Sequence, residues 1–146
     1  MDVIGVIVDG LLLYTNLTGL IVVSFSRVMT GSEKEAPLAE SIASQISGAR
    51  SIAGRLPLRS FAALIEKLDL FITNDTGPMH LSFAMETPTV ALFSPTDPYL
   101  CGPYQCENAV AIKKRRACTP CLKKKCRLPF CMEQISPHEV YESLPF

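Results

Sequence analysis

Apolar positions along most of the chain alternate between a strand period and a helix period. Residues 20–26 (LIVVSFS) form a continuous β-branched and apolar run of the kind buried on both faces of a parallel sheet. In the next segment, 33–46, Leu38, Ile42 and Ile46 recur four residues apart. This predicts a helix capped by Ser32, with acidic residues in its first turn. Gly48 stops that helix and 51–53 is a short apolar stretch. Pro57 then opens a second helical pattern over 58–67, with Phe61, Leu64, Ile65 and the following Leu68 on one face. Residues 70–73 (LFIT) read as a strand, 80–85 as a helix ending before Thr87 and Pro88, and 89–93 (TVALF) as another buried strand. Strands alternating with helices imply βαβ units, and therefore an α/β fold built on a parallel sheet with flanking helices.

The regularity fails after Ser94, where Pro95, Pro98, Gly102 and Pro103 mark a loop. It returns at Ser136, Pro137 and Glu139, placed as N-cap, N1 and N3 of a last short helix. At the other end, residues 3–25 are apolar enough to raise the question of a membrane span. Asp9, Asn16 and glycines interrupt them, and a carboxylate inside a bilayer is costly. They are read instead as two short strands, or a strand and a helix, broken near residues 16–19. A chain of 146 residues fits a single domain over 1–146. Its 48% hydrophobic content with no Trp suits an aliphatic α/β core better than a surface that stacks nucleic-acid bases.

A formal net charge of zero provides no overall field toward nucleic acid or membrane. The cations are nevertheless clustered: Lys113, Lys114, Arg115, Arg116, Lys123, Lys124, Lys125 and Arg127 fall in one short stretch. The N-terminus lacks the positive segment of a secretory signal, so a cytoplasmic location is expected and the six cysteines should be reduced thiols. Four of them, Cys118, Cys121, Cys126 and Cys131, match the number a structural zinc site requires, and neighbouring cations favour thiolates. The other reading is four reduced cysteines kept in the loop without metal. The basic, Cys-rich loop over 113–131 is read as a solvated face. A second class of function is a stand-alone, metal-stapled module for polyanions. Nucleic acid is not expected, because the stretch has no recognition-helix pattern and no interleaved aromatics.

The most informative local pattern is Thr73-Asn74-Asp75-Thr76-Gly77-Pro78-Met79-His80, which joins an apolar strand to a helix. The first amides of such a helix lack intrahelical partners and suit an anion. Thr76 offers a hydroxyl and an amide, Gly77 permits close backbone approach, Pro78 presets the first turn, and His80 can face a phosphate oxygen. The competing account is a cap supplied by Asp75 or Thr76, with His80 packed and no ligand.

The longer run NDTGPMHLSFAMETPTVALFSPTDP closely resembles the core signature of glycosyltransferase family 9, the ADP-heptose:lipopolysaccharide heptosyltransferases. The similarity continues upstream through GSEKEAPLAESIA and LPLRSFAALIEKLDLFIT, and downstream through GPY, CTPC, KKKC and CMEQISPHEVYESL, covering roughly residues 20–145. It implies the Rossmann-like C-terminal half of a GT-B transferase that binds ADP-heptose for lipopolysaccharide core biosynthesis, with no required cofactor. Asp75, Thr76, Gly77 and His80 match the family's D-T-G-x-x-H motif around the diphosphate and sugar. Glu33 or Glu35 resembles its acidic group near the ribose, and Leu56 its position lining the adenine; a helix-dipole role for either Glu and a core role for Leu56 stay open. The basic stretch would then face the anionic inner membrane or a phosphorylated lipid acceptor.

The chain also departs from the family pattern. Residues 1–19 look atypical or truncated, and no counterpart is present for the acceptor-binding half with its general base. Arg27, Val28 and Met29 sit where the family runs more directly into Gly-Ser, so an altered local turn is expected. The isolated chain is therefore expected to bind sugar nucleotide weakly or not at all, and not to catalyse transfer by itself.

Overall fold

The computed structural model describes residues 5–15, 21–94, 96–103, 106–114 and 134–144, with side chains discussed from Arg27 onward. Its strands are β1 (Gly5–Thr15), β2 (Ile21–Thr30), β3 (Ala49–Ser51), β4 (Leu70–Asn74), β5 (Thr89–Phe93) and β6 (Ala109–Lys113). The helices are α1 (Ala36–Ser44), α2 (Leu58–Ile65), α3 (Gly77–Ala84), α4 (Pro98–Cys101) and α5 (Pro137–Glu142). The six strands form one sheet in the order β3-β2-β1-β4-β5-β6. That is the strand order of a doubly wound dinucleotide-binding sheet, with its reversal point between β1 and β4. β2 with β3, β4 with β5, and β5 with β6 are parallel, whereas β1 runs antiparallel to both its neighbours.

The apolar pattern assigns a helix layer to each face. On one face, Met29 packs with Ala39, Ala43 and Ala53 under α1, while Leu70, Val90 and Ile112 meet Val140 and Leu144 of the α5 segment. On the other, Ile65, Leu68 and Phe71 pack with Val28 and Leu81, and Met79 closes over Ala91 and Phe93 beneath α3. Adjacent residues Val28/Met29 and Leu70/Phe71 thus point to opposite faces, as strand geometry demands. The five residues of β5 include four buried ones, which explains its unbroken apolar sequence.

Most expected elements are present with shifted boundaries. The 33–46 helix begins as a 3-10 turn, Glu33–Glu35, in which the Glu35 carboxylate accepts from the Ser32 N–H; α1 follows. Pro57 is the N-cap of α2, and the Ser136 hydroxyl accepts from the Glu139 N–H at 3.1 Å to start α5. α3 starts at Gly77, three residues before the apolar pattern places it, with Pro78 in its first turn.

Two expectations need correction. Residues 27–29 are not part of an altered turn: β2 continues to Thr30, and Arg27, Val28 and Met29 pair with β3 as well as β1. The sheet is not wholly parallel, since residues 5–15 form the inverted β1. The structure also adds β6, which the apolar pattern does not announce: it leaves Val110 40% exposed and buries only Ile112. No described helix is long and apolar enough to cross a membrane.

The link from α3 into β5 carries one backbone feature of note. Glu86 has φ of 56°, just beyond the C-cap Met85, while its carbonyl accepts from the Asn108 side chain at 3.3 Å. A left-handed conformation costs an L-residue about 1 kcal/mol relative to glycine. Glu86→Gly should therefore raise the thermal midpoint by roughly 3–5 °C without altering the fold; differential scanning calorimetry checks this.

A crevice at the strand-order reversal

β2 and β4 both end at the same edge of the sheet because each is antiparallel to β1 between them. A crevice opens there, outside the carboxyl ends of the strands, where doubly wound sheets bind their ligands. Its cavity has a volume of about 360 Å³ and is lined on one side by Thr30, Gly31, Ser32 and Glu35, and on the other by Thr73, Thr76 and Pro78. Ile52, Leu56, Phe61 and Phe71 supply an apolar wall.

Local sequence holds both rims. Gly54 adopts φ of +71°, and a Cβ on it would lie 2.7 Å from the Glu33 Cα, so this position admits only glycine. Its N–H donates to the Gly31 carbonyl at 2.9 Å, tying the segment after β3 to the rim after β2. Opposite, the Asp75 N–H donates to the Leu92 carbonyl at 3.2 Å, which seats the turn before α3 on the end of β5.

Thr76 is the N-cap of α3, but its hydroxyl turns back toward the Asn74 carbonyl at 3.3 Å, and no side chain caps the helix. Thr76 thus holds the cap position that the competing account gives it, without a side-chain bond to the helix. In the first turn Pro78 carries no N–H and the Met79 N–H donates to the Thr76 carbonyl at 3.1 Å, so the amides of Thr76 and Gly77 are the ones left beside the cavity. A Cβ built on Gly77 has nothing within 4 Å, so the folded chain does not itself require glycine there.

The residues singled out in the sequence are brought together unevenly. Glu35, Leu56 and Thr76 line the cavity. Asp75 and Gly77 flank Thr76 at its rim, and His80 lies exposed one turn further on, edge-on to Phe83 with ring centroids 6.2 Å apart. Glu33 is exposed and is absent from the lining, which separates it from Glu35. Thr30, Thr73 and Phe61 line the site as well, although sequence reasoning misses them; the sole signal is their place at strand ends or on an apolar helix face.

Cys118, Cys121, Cys126 and Cys131 lie outside the described residues, as do the cations from Arg115 to Arg127. Among the described residues no group of His, Cys, Asp or Glu could hold a metal ion. Lys113 and Lys114, the described members of the basic stretch, are engaged by Asp97 at 2.8 Å and Glu139 at 2.7 Å.

Comparison with known proteins converges on one family. Residues 24–131 match the model of glycosyltransferase family 9 (heptosyltransferase). A lipooligosaccharide heptosyltransferase 2 of Campylobacter jejuni is 39% identical over 95 residues, which are 64% of this chain and 30% of that protein. The structure of E. coli ADP-heptose lps heptosyltransferase II superposes with a TM-score of 0.65 at 26% identity, over 79% of this chain and 34% of that one. E. coli heptosyltransferase WaaC with ADP gives 0.50 at 26% identity, over 56% and 25%. The chain spans about a third of the length of the curated relatives it matches.

Gly77 provides a test of ligand approach. Gly77→Ala should leave the unliganded protein as stable or more stable by up to about 1 kcal/mol, since alanine is the better helix residue. If the turn takes a diphosphate, the added methyl, which fills space left open at Gly77, should weaken binding of inorganic pyrophosphate; urea unfolding and a pyrophosphate titration give the two readouts.

Proposed function

The chain belongs to glycosyltransferase family 9, and on that footing we propose that the crevice binds the nucleotide diphosphate of an ADP-linked heptose used in lipopolysaccharide core assembly. The observation that carries this reading is the uncapped N-terminus of α3 opening beside a cavity with one apolar and one polar wall. Helix amides favour a diphosphate, and they need no metal to do so. The apolar wall around Leu56 and Phe61 suits a planar base, and the Glu35 carboxylate suits the hydroxyls of a ribose. Glu35 is preferred to Glu33 for this role because it lines the cavity.

In the reaction, a diphosphate leaves as the acceptor hydroxyl attacks the sugar carbon, so negative charge grows on the bridging oxygen. Donors fixed in advance at that oxygen lower the barrier by stabilising the departing charge. The amides of Thr76 and Gly77 are assigned that task, with His80 reaching the outer phosphate oxygens. Asp75 positions the turn through its N–H bond to β5. On this reading the chain is a donor-binding unit that does not transfer the sugar unaided, its acceptor being a lipopolysaccharide core bound by a further domain. Support comes from the family match, from the ADP named with one structural relative, and from the geometry of the crevice.

Titration of the isotopically labelled chain with ADP should shift amide resonances of Thr76, Gly77 and the cavity rim, with weak affinity. His80→Ala should weaken that binding about tenfold, the scale of one lost charge-assisted hydrogen bond. Well-folded protein whose spectrum is unmoved by saturating ADP would overturn the assignment.

A further inference from the structure

Beneath α3, a polar thread crosses the core where burial alone requires none. The fully buried Ser82 hydroxyl, in the second turn of the helix, donates to the Met79 carbonyl at 2.8 Å. The buried Thr89 hydroxyl at the start of β5 lies 2.9 Å from the Ser82 Oγ and 2.7 Å from the Thr87 carbonyl. Two hydroxyl protons serve these three contacts, so each hydroxyl donates once and neither is orphaned. The Thr87 hydroxyl in turn donates to the Ile65 carbonyl at 2.9 Å, holding the link between α3 and β5 against the end of α2. An apolar pair of similar shape in place of Ser82 and Thr89 would serve burial equally well, so what the hydroxyls add is direction.

We propose that Ser82 and Thr89 are a positioning pair for the anion-binding turn, setting where the Thr76 and Gly77 amides stand at the crevice, which rests on the nucleotide assignment above. Connectivity supports this. Met79 joins the thread to the N-cap: its carbonyl accepts from Ser82 while its N–H donates to the Thr76 carbonyl at 3.1 Å. The contacts therefore run without a break from β5 to Thr76, a residue that lines the cavity. Neither Ser82 nor Thr89 touches the cavity itself, so both act through the helix.

The thread supplies the second of two ties between α3 and β5. In front of the helix, the Asp75 N–H donates to the Leu92 carbonyl at 3.2 Å; behind its first turn, Ser82 meets Thr89. These ties bracket Thr76 and Gly77, and the helix can neither slide along β5 nor pivot about its N-terminus without breaking one of them. Apolar contacts of α3, Met79 with Ala91 and Phe93 and Leu81 with the cluster of Ile65 and Phe71, press it onto the sheet. They are non-directional and leave its position along its own axis loosely set, whereas a hydrogen bond weakens steeply on misalignment. Amides aimed at a diphosphate need that axial position fixed, because binding by preformed donors depends on their placement.

Thr89→Val and Ser82→Ala test the pair against two controls in the full chain: Thr89→Ser, which keeps the hydroxyl, and Ile112→Val, which trims the core beside α5. In the unliganded, isotopically labelled protein, Thr89→Val and Ser82→Ala should move the amide resonances of Thr76 and Gly77, and the controls should leave them in place. Both should weaken binding of inorganic pyrophosphate about threefold to tenfold, the scale of one hydrogen bond, while adenosine keeps its affinity within about twofold. The double variant should lose no more than either single one, since the two side chains act through one contact. Unmoved amides, unaltered pyrophosphate affinity, equal weakening of pyrophosphate and adenosine, or the same loss in Thr89→Ser or Ile112→Val would overturn the positioning role. Wild-type protein that binds neither pyrophosphate nor ADP would instead overturn the nucleotide assignment, and this proposal with it.

Discussion

The parallel pairing of β4 with β5 is the constraint on which the site depends. Phe71, Ile72, Thr73 and Asn74 lie in register with Thr89, Val90, Ala91 and Leu92, with three of the five residues of β4 and four of the five of β5 buried. A slip of one residue would turn Phe71 and Phe93 out of their clusters and bring polar positions into the core, so register is fixed by burial on both faces. With register fixed, the chain leaving β4 must turn beside the end of β5, and the Asp75 amide meets the Leu92 carbonyl. The helix dipole and the cavity rim both take their positions from that one alignment.

The strands and helices between residues 20 and 93 are legible in the sequence because burial there is strong and periodic. The continuous run TVALF fits a strand covered on both sides, and the amphipathic pattern after Pro57 fits a surface helix. β6 is hidden because its apolar run, Ala109 to Ile112, is short, lies between Asn108 and a series of lysines, and buries Ile112 alone. The inverted course of β1 is also beyond reach, since an apolar run states that a strand is buried and is silent about its direction.

Within the site, the turn at residues 73–80 is visible because its Gly, Pro and cap residues sit at fixed offsets from a strand end. Glu33 and Glu35 cannot be separated by sequence, as both fall in the first turn; the 3-10 geometry turns Glu35 toward the cavity and leaves Glu33 outside. Thr30 and Thr73 are invisible because a threonine ending a β-branched run is indistinguishable from any other strand residue.

The inverted β1 has a mechanical consequence. The two walls of the crevice belong to different halves of the sheet, one carried by β2 and β3 and the other by β4, β5 and β6. Among the described residues, the ladder that joins β1 to the second half is short: Val6, Ile7 and Val8 stand opposite Ile72, Phe71 and Leu70. Its ladder to β2 runs through ten paired positions. Beside the short ladder, Val28 packing against the cluster of Ile65, Leu68 and Phe71 is an apolar contact that crosses the seam. Among the described residues, the two rims of the crevice are therefore joined beneath it through three paired positions and that apolar contact. A force or a ligand that draws the two rims together acts across the seam rather than against a rigid floor.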